Sequence, residues 1–267
     1  ERYQQVQKLL KEALEAHVDL LVLPESYLPW EWIPDVSRLC ANNQMALVTG
    51  VEHILSAKNN DYLQQVYNLT AVILPYRKDD HKFAHIVYHQ KVHFSPEEER
   101  KIKGYRLEPC RGEDYQLFQW KDLWFSVYCC FELASIAERA LFQSFVDLIV
   151  AVEWNRDVPY FSNIMEYLCR DLHCYCIQAN SSDFGDSRVM CPTKTELRDL
   201  IKTKGGINHT ILVDEINVDA LRDYQRKEYE LQRDDDRFKP TPPNFDPNIP
   251  EHKQNKTLWD ALNHIQE

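Results

Sequence analysis

A layered α/β fold is predicted for this chain, and three observations predict it. Helix-period runs and strand-like runs alternate through most of its length. Several of the strand-like runs are short and almost continuously apolar, the pattern of strands buried on both faces. With 267 residues, 44% of them hydrophobic and 12% aromatic, the chain can build a sizeable core. One large domain fits this length, as would two small ones.

Taken in order, Tyr3 to His17 reads as an amphipathic helix, with Val6, Leu9, Leu10 and Leu14 at helical spacing among Gln, Lys and Glu. Val18–Pro24 is an apolar run that reads as a buried strand, with Glu25 at its end, where loops and sites begin. A second helix is expected over Ile33–Asn42 and a second strand over Ala46–Gly50. Tyr67–Leu74 alternates as a third strand, and Pro75–Lys82 reads as a polar turn. Phe83–His93 alternates again, with His85, Val87, His89, Lys91 and His93 on one parity. Tyr115–Trp120 and Leu123–Cys130 are two further strand-like runs.

Leu133–Ser144 is predicted as a helix, Val146–Val152 as a buried strand followed by Trp154, Tyr160–His173 as a helix and Cys174–Ala179 as a strand. Thr210–Ile216 is the last expected strand. From about Asp219 the composition changes. Arg222–Arg237 is charged and helical at first, and Pro240–Pro250 is too rich in proline for a regular element. Trp259, Leu262 and Ile265 fit a short docking helix. The division expected is a domain over 1–224 and a C-terminal arm over 225–267, the arm serving oligomerisation or docking. The chain opens at Glu1 inside a helical run, which reads as a piece of a longer polypeptide.

Composition narrows the function. A net charge of −11 disfavours nonspecific binding to nucleic acid or to anionic membrane, since phosphate contacts need clustered Lys and Arg. Only 6 glycines occur, with no Gly-rich phosphate loop. The 8 cysteines show no repeated CxxC pairing, which points to a reducing, cytoplasmic compartment. No apolar run approaches the roughly 18 residues of a membrane span. His81, His85, His89 and His93 recur every four residues. A strand spreads them over about 40 Å at 3.3 Å per residue, too far for one metal ion. Cys169, His173, Cys174 and Cys176 read as core residues, and no metal or organic cofactor is expected.

Three stretches each offer one reactive side chain: Leu-Pro-Glu-Ser around Glu25, Tyr-His-Gln-Lys-Val-His around Lys91, and Val-Tyr-Cys-Cys-Phe-Glu around Cys130. Each has a bland reading alone: a loop carboxylate, a solvated strand lysine, a core cysteine. A thiol at a strand-to-helix turn can instead be held as a nucleophile by the helix start and a nearby cation. A carboxylate beside it can serve as general base, and a lysine can stabilise an oxyanion. Cys129 has the opposite parity and is the better candidate for a core role.

The ordered set resembles the Glu-Lys-Cys triad of the nitrilase superfamily of carbon–nitrogen hydrolases. Further similarity follows in Val146–Trp154, in Cys169-Arg-Asp-Leu-His-Cys-Tyr-Cys-Ile-Gln-Ala-Asn180 and in Gly185-Asp-Ser-Arg-Val-Met-Cys-Pro192, so that the resemblance covers about Glu1 to Tyr224. It implies a four-layer αββα sandwich and hydrolysis of a nonpeptide amide, or less often a nitrile, through a thioester on Cys130. Glu25 is then the base, while Lys91 and the N–H of Phe131 hold the oxyanion. Trp154 is a supporting residue. A second glutamate is implied after the lysine, with Glu98 favoured over Glu97 and Glu99. A homo-oligomer is implied as well, with the arm wrapping a neighbour.

The departures are also plain. The family's first strand precedes its first helix, and here the sequence begins after that point. Glu153 and Asn155 flank Trp154 in place of the usual small residues. Whether the acyl group passes to water or to another acceptor is open. The rival expectation is a nitrilase-fold assembly or sensing module of a larger protein, as found beside some bacterial reverse transcriptases of antiviral systems.

Overall fold

In the computed structural model, which describes residues 2–58, 63–206 and 209–265, the helical period of the first run becomes α1 (Arg2–Glu15), with Val6, Leu9, Leu10 and Ala13 buried. It leads into β1 (Leu20–Leu28), α2 (Ile33–Asn43) and β2 (Ala46–Val51). Short strands β3 (Ile54–Leu55) and β4 (Gln64–Tyr67) precede the hairpin of β5 (Leu69–Lys78) and β6 (His81–Gln90). Next come α3 (Pro96–Gly104), β7 (Leu107–Cys110), β8 (Leu117–Trp120) and β9 (Leu123–Cys129). A 3-10 turn, Cys130–Ala134, opens into α4 (Ile136–Arg139), followed by β10 (Leu148–Glu153), α5 (Val158–Asp171) and β11 (Tyr175–Asn180). The remaining elements are β12 (Arg188–Met190), β13 (Asp199–Lys202), α6 (Val218–Gln225), α7 (Tyr229–Arg233), α8 (Asn248–Gln254) and α9 (Leu258–Ile265).

Two main sheets result. The first has the order β1-β2-β5-β6, and the second β13-β12-β11-β10-β9-β8. β9, β10 and β11 run parallel at the centre of the second sheet, which explains their continuous apolar runs. Alternation along each strand sends one parity to each side. Leu148, Val150 and Val152 meet Ala46, Val48 and Val72 of the first sheet in a shared core. Ile149 and Ala151 point the other way, into the cluster holding Phe161, Met165 and Leu168 of α5. On the far side, α1 and α2 cover Leu47, Ala71 and Ile73 of the first sheet. The layers are thus helix, sheet, sheet, helix, the αββα sandwich expected.

Four expectations change. Thr210–Ile216 forms no strand. β1 is an edge strand, and its outer edge and this segment both line a cavity of about 1370 Å³, so neither finds a ladder partner on that side. The polar turn expected over Pro75–Lys82 shrinks to Asp79-Asp80, because β5 and β6 stay paired out to Lys78 and His81. Asp79 takes the left-handed conformation there (φ 53°), which a short polar side chain tolerates. The helix expected over Leu133–Ser144 is cut to one turn of α4, since the chain first winds tightly over Cys130–Ala134 and is extended at Ser135. Pro240–Pro250 is not wholly irregular. α8 begins at Asn248 and places Pro250 in its first turn, where a missing N–H leaves no bond broken.

Candidate active site

The first sheet supplies two of the reactive side chains. Glu25 sits where the pairing of β1 with β2 becomes irregular, between Leu23 and Leu28. Ser26 is left-handed there (φ 52°), and Gly50 of β2 makes the close approach possible. A Cβ on Gly50 would lie 2.3 Å from the Ser26 nitrogen and 2.4 Å from the Glu25 Cα. Lys91 follows β6 and is held by a bond from its own N–H to the carbonyl of Asn68 (3.0 Å).

Lys91, only 1% exposed, sets its Nζ 2.7 Å from Oε1 of Glu25 and 2.8 Å from Oε2 of Glu98. Asn68 closes the group by donating to Glu25 (2.8 Å) and to Glu98 (2.9 Å). Of the three consecutive glutamates, Glu98 alone faces the lysine. Glu97 pairs outward with Lys101, and Glu99 with Arg111 and Lys103. Ser95 caps α3 and so aims Glu98 inward. Burial opposes charge on both partners. For Lys91 the acidic groups around it, Glu25 foremost, then the thiols of Cys129 and Cys130, then Glu98, outweigh it and hold the ammonium well above the usual lysine value. For Glu98, hydrogen bonds from His53, Lys91 and Asn68 together with the lysine charge outweigh burial and bring it to about 2.

The second sheet supplies the thiols. Cys130 directly follows β9 in the left-handed conformation (φ 50°), a sharp strand-to-turn elbow that leaves it partly exposed. Glu132 fastens the elbow. Its carboxylate accepts from the backbone N–H of Cys129 and of Val92, both at 2.6 Å, and from His89 Nε2 at 2.9 Å. Burial pushes the Cys130 thiol up and the Glu25 charge adds to this, while Lys91 and a hydrogen bond from the Trp154 N–H pull it down. That N–H also reaches Oε2 of Glu25 (3.1 Å), so Trp154 acts here through its backbone, with its ring 55% exposed. Phe131 is the second residue of the 3-10 turn that Cys130 opens.

Cys129, read from parity as a core residue, is indeed buried among the inter-sheet side chains, yet its Sγ lies 3.3 Å from Oε1 of Glu25. The Glu25 charge therefore acts on both thiols, and Glu25 is in contact with Cys129. Asn68, Gly50 and the His89–Glu132 pair were not legible as site residues. The one signal for Asn68 is a polar residue interrupting an apolar strand run. Of the four histidines, His81, His85 and His89 lie in β6 and His93 comes after it; His89 bonds Glu132 and His93 bonds Glu138, each with its own carboxylate.

A cavity of about 470 Å³ reaches Glu25 and is lined also by His53, Trp154 and Ser181. The larger cavity, beside β1 and β11, includes neither Glu25, Lys91 nor Cys130 in its wall.

Solved structures share this architecture. XC1258 of Xanthomonas campestris, a CN-hydrolase superfamily protein with an arsenic adduct in its active site, is 14% identical with a TM-score of 0.56, over 84% of this chain and 88% of its own. A cysteine-to-serine mutant of the Nesterenkonia AN1 amidase, from the nitrilase superfamily, is 16% identical with a TM-score of 0.57, over 87% and 90%. Nit3 of Saccharomyces cerevisiae, from branch 10 of the nitrilase superfamily, is 14% identical with a TM-score of 0.54, over 76% and 82%. No family model matches the sequence, and no curated protein matches it. At such identities the likeness establishes the fold, which is that of the nitrilase superfamily. No helix among the described residues is long and apolar enough to cross a membrane.

Proposed function

Starting from the nitrilase-superfamily fold, we propose that this chain hydrolyses a nonpeptide carbon–nitrogen bond, in an amide or a nitrile, with Cys130 as nucleophile. The observation that supports this is the buried cluster in which Lys91 bonds Glu25 and Glu98, with the charges of Glu25 and Lys91 both acting on the Cys130 thiol at its elbow. In this reading the elbow presents the Cys130 sulfur, and the N–H of Phe131, the residue after it, receives the oxyanion.

For an amide, Glu25 takes the thiol proton as the sulfur attacks the carbonyl carbon. Lys91 and the Phe131 N–H receive the negative oxygen. The tetrahedral adduct collapses, the C–N bond breaks, and the amine leaves with the proton from Glu25. A thioester remains on Cys130. Glu25 next deprotonates a water that attacks the thioester carbon, releasing the acid and restoring the thiol. Glu98 holds Lys91 charged and in place.

A second reading, an assembly or sensing module within a larger protein such as a reverse transcriptase of a bacterial antiviral system, is favoured by one observation. Neither Lys91 nor Cys130 lines the cavities described above. Cysteine-resolved alkylation separates the readings. With limiting iodoacetamide and fragment-ion localisation, Cys130 is expected to react at least about tenfold faster than the buried cysteines, and Glu25→Gln is expected to slow it. A screen of amides and nitriles for ammonia release follows. Labelling concentrated on Cys129 would move the nucleophile by one residue, and equal, slow labelling of all the thiols would leave the assembly reading standing.

A further inference from the structure

Glu153 is a buried carboxyl that the proposed reaction does not use. It ends β10 with 0% exposure, one step past the register pair Val152–Cys129, and so stands level with the Cys130 elbow. Gln178 of β11 donates to its Oε2 (2.9 Å), and its Oε1 has no partner among the described residues. Among those residues no lysine, arginine or histidine touches it. Arg188 of β12 acts on it only at a distance and makes its contacts elsewhere, on Gln178, Glu166, Asp199 and Asp186. The other charges bearing on Glu153 are Glu25 of β1 and Asp186 of the loop before β12, both carboxylates, and Cys130 lies within its field. A buried anion without a counter-ion is expensive, and such a group keeps its proton instead.

We propose that Glu153 is a positioning residue for the nucleophile. It works protonated, so that the charges acting on Cys130 include one negative charge fewer, and its ionisation in alkaline solution shuts Cys130 down. This rests on Cys130 being the nucleophile. Burial and the Glu25 charge put the Glu153 carboxyl at about 8, against the favourable bond from Gln178 and the pull of Arg188, so the change falls within an accessible range. The sign is fixed by its location. An ionised Glu153 adds a like charge beside the thiol, and each unit by which it raises the thiol cuts the thiolate fraction about tenfold.

The test is the alkylation rate of Cys130 by iodoacetamide from pH 6 to 9.5, in the unaltered protein, Glu153→Gln and Glu153→Ala. At pH 6.5 the unaltered protein and Glu153→Gln are expected to agree within about threefold. Above pH 8.5 Glu153→Gln should run ahead by about fivefold or more, because it cannot ionise. Glu153→Ala, which empties the site, should be slower than Glu153→Gln at every pH. Infrared spectra of the unaltered protein supply a readout that needs no variant to fold: a protonated-carboxyl band present at pH 7 and lost by pH 9.5. Superimposed pH profiles with a fast Cys130, or absence of that band, would overturn the inference alone. A Cys130 no faster than the buried cysteines in both proteins overturns the nucleophile assignment, and this inference with it.

Discussion

Glu98 shows how one residue can tie the site to the stability of the fold. Its carboxylate is mostly buried, yet Lys91, Asn68 and His53 more than compensate, and its pKa falls from 4.5 to about 2. A lowered pKa means that the unfolded chain binds the proton more readily, so stability rises with pH through that window. The contribution is therefore complete above about pH 5 and disappears as the pH falls toward 2. A displacement of this size corresponds to roughly 3 kcal/mol. Glu98→Gln is expected to lose stability of that order at pH 7 and to show a flatter dependence between pH 5 and 2. Urea midpoints measured across that range check both. Equal slopes for the two proteins would mean that Glu98 is solvated, not held against Lys91.

At the scale of elements, the site depends on how closely two strands approach. Gly50 lets β2 pass the kinked part of β1 that carries Glu25. An alanine there would bring its Cβ within 2.3 to 2.6 Å of backbone atoms of Glu25 and Ser26, which cannot swing aside as a side-chain tip can. Gly50→Ala is thus expected to destabilise by about 1–3 kcal/mol, the usual range for overpacking, and to slow Cys130 alkylation by displacing the base. Thermal unfolding and the alkylation rate measure the two parts. Unchanged values for both would show that the strands part without consequence. The same elements mark what the sequence could reveal. The continuous apolar runs of β9, β10 and β11 were readable, because burial on both faces leaves no polar parity. Glu25 and Cys130 stood out in the sequence because each ends a continuous apolar run, and Lys91 because it ends an alternating one. Asn68 was not, since what makes it part of the site is its contact with Glu25 and Glu98, residues distant in sequence. Thr210–Ile216 has a strand-like pattern, but strand formation also needs a neighbour, which composition cannot supply.

Across the whole molecule, Asp147 joins the C-terminal arm to the sandwich. It has 0% exposure, just before β10, and receives Arg222 of α6, Lys253 of α8 (2.8 Å) and the backbone N–H of Trp124 (3.0 Å). The surrounding packing is apolar: Ile249 and Leu258 lie on Trp124, and the ring of Trp259 is 4.9 Å from it. The described residues after Gln225 therefore pack on the sandwich of the same chain. Two cations share one carboxylate, so the three residues are not equivalent. Removing Asp147 strands both cations in the interior, whereas removing Lys253 leaves Asp147 with Arg222 and a backbone donor. Breaking a buried pair from the side that leaves charge unmatched costs about 3–5 kcal/mol. Asp147→Ala is expected to lose that much in urea unfolding and to make the chain beyond Gln225 sensitive to brief proteolysis. Lys253→Met, which retains the apolar stem, should lose clearly less and leave the arm protected. Equal losses for the two variants would show instead that the arm is held by its apolar contacts with Trp124, with the buried charges contributing little.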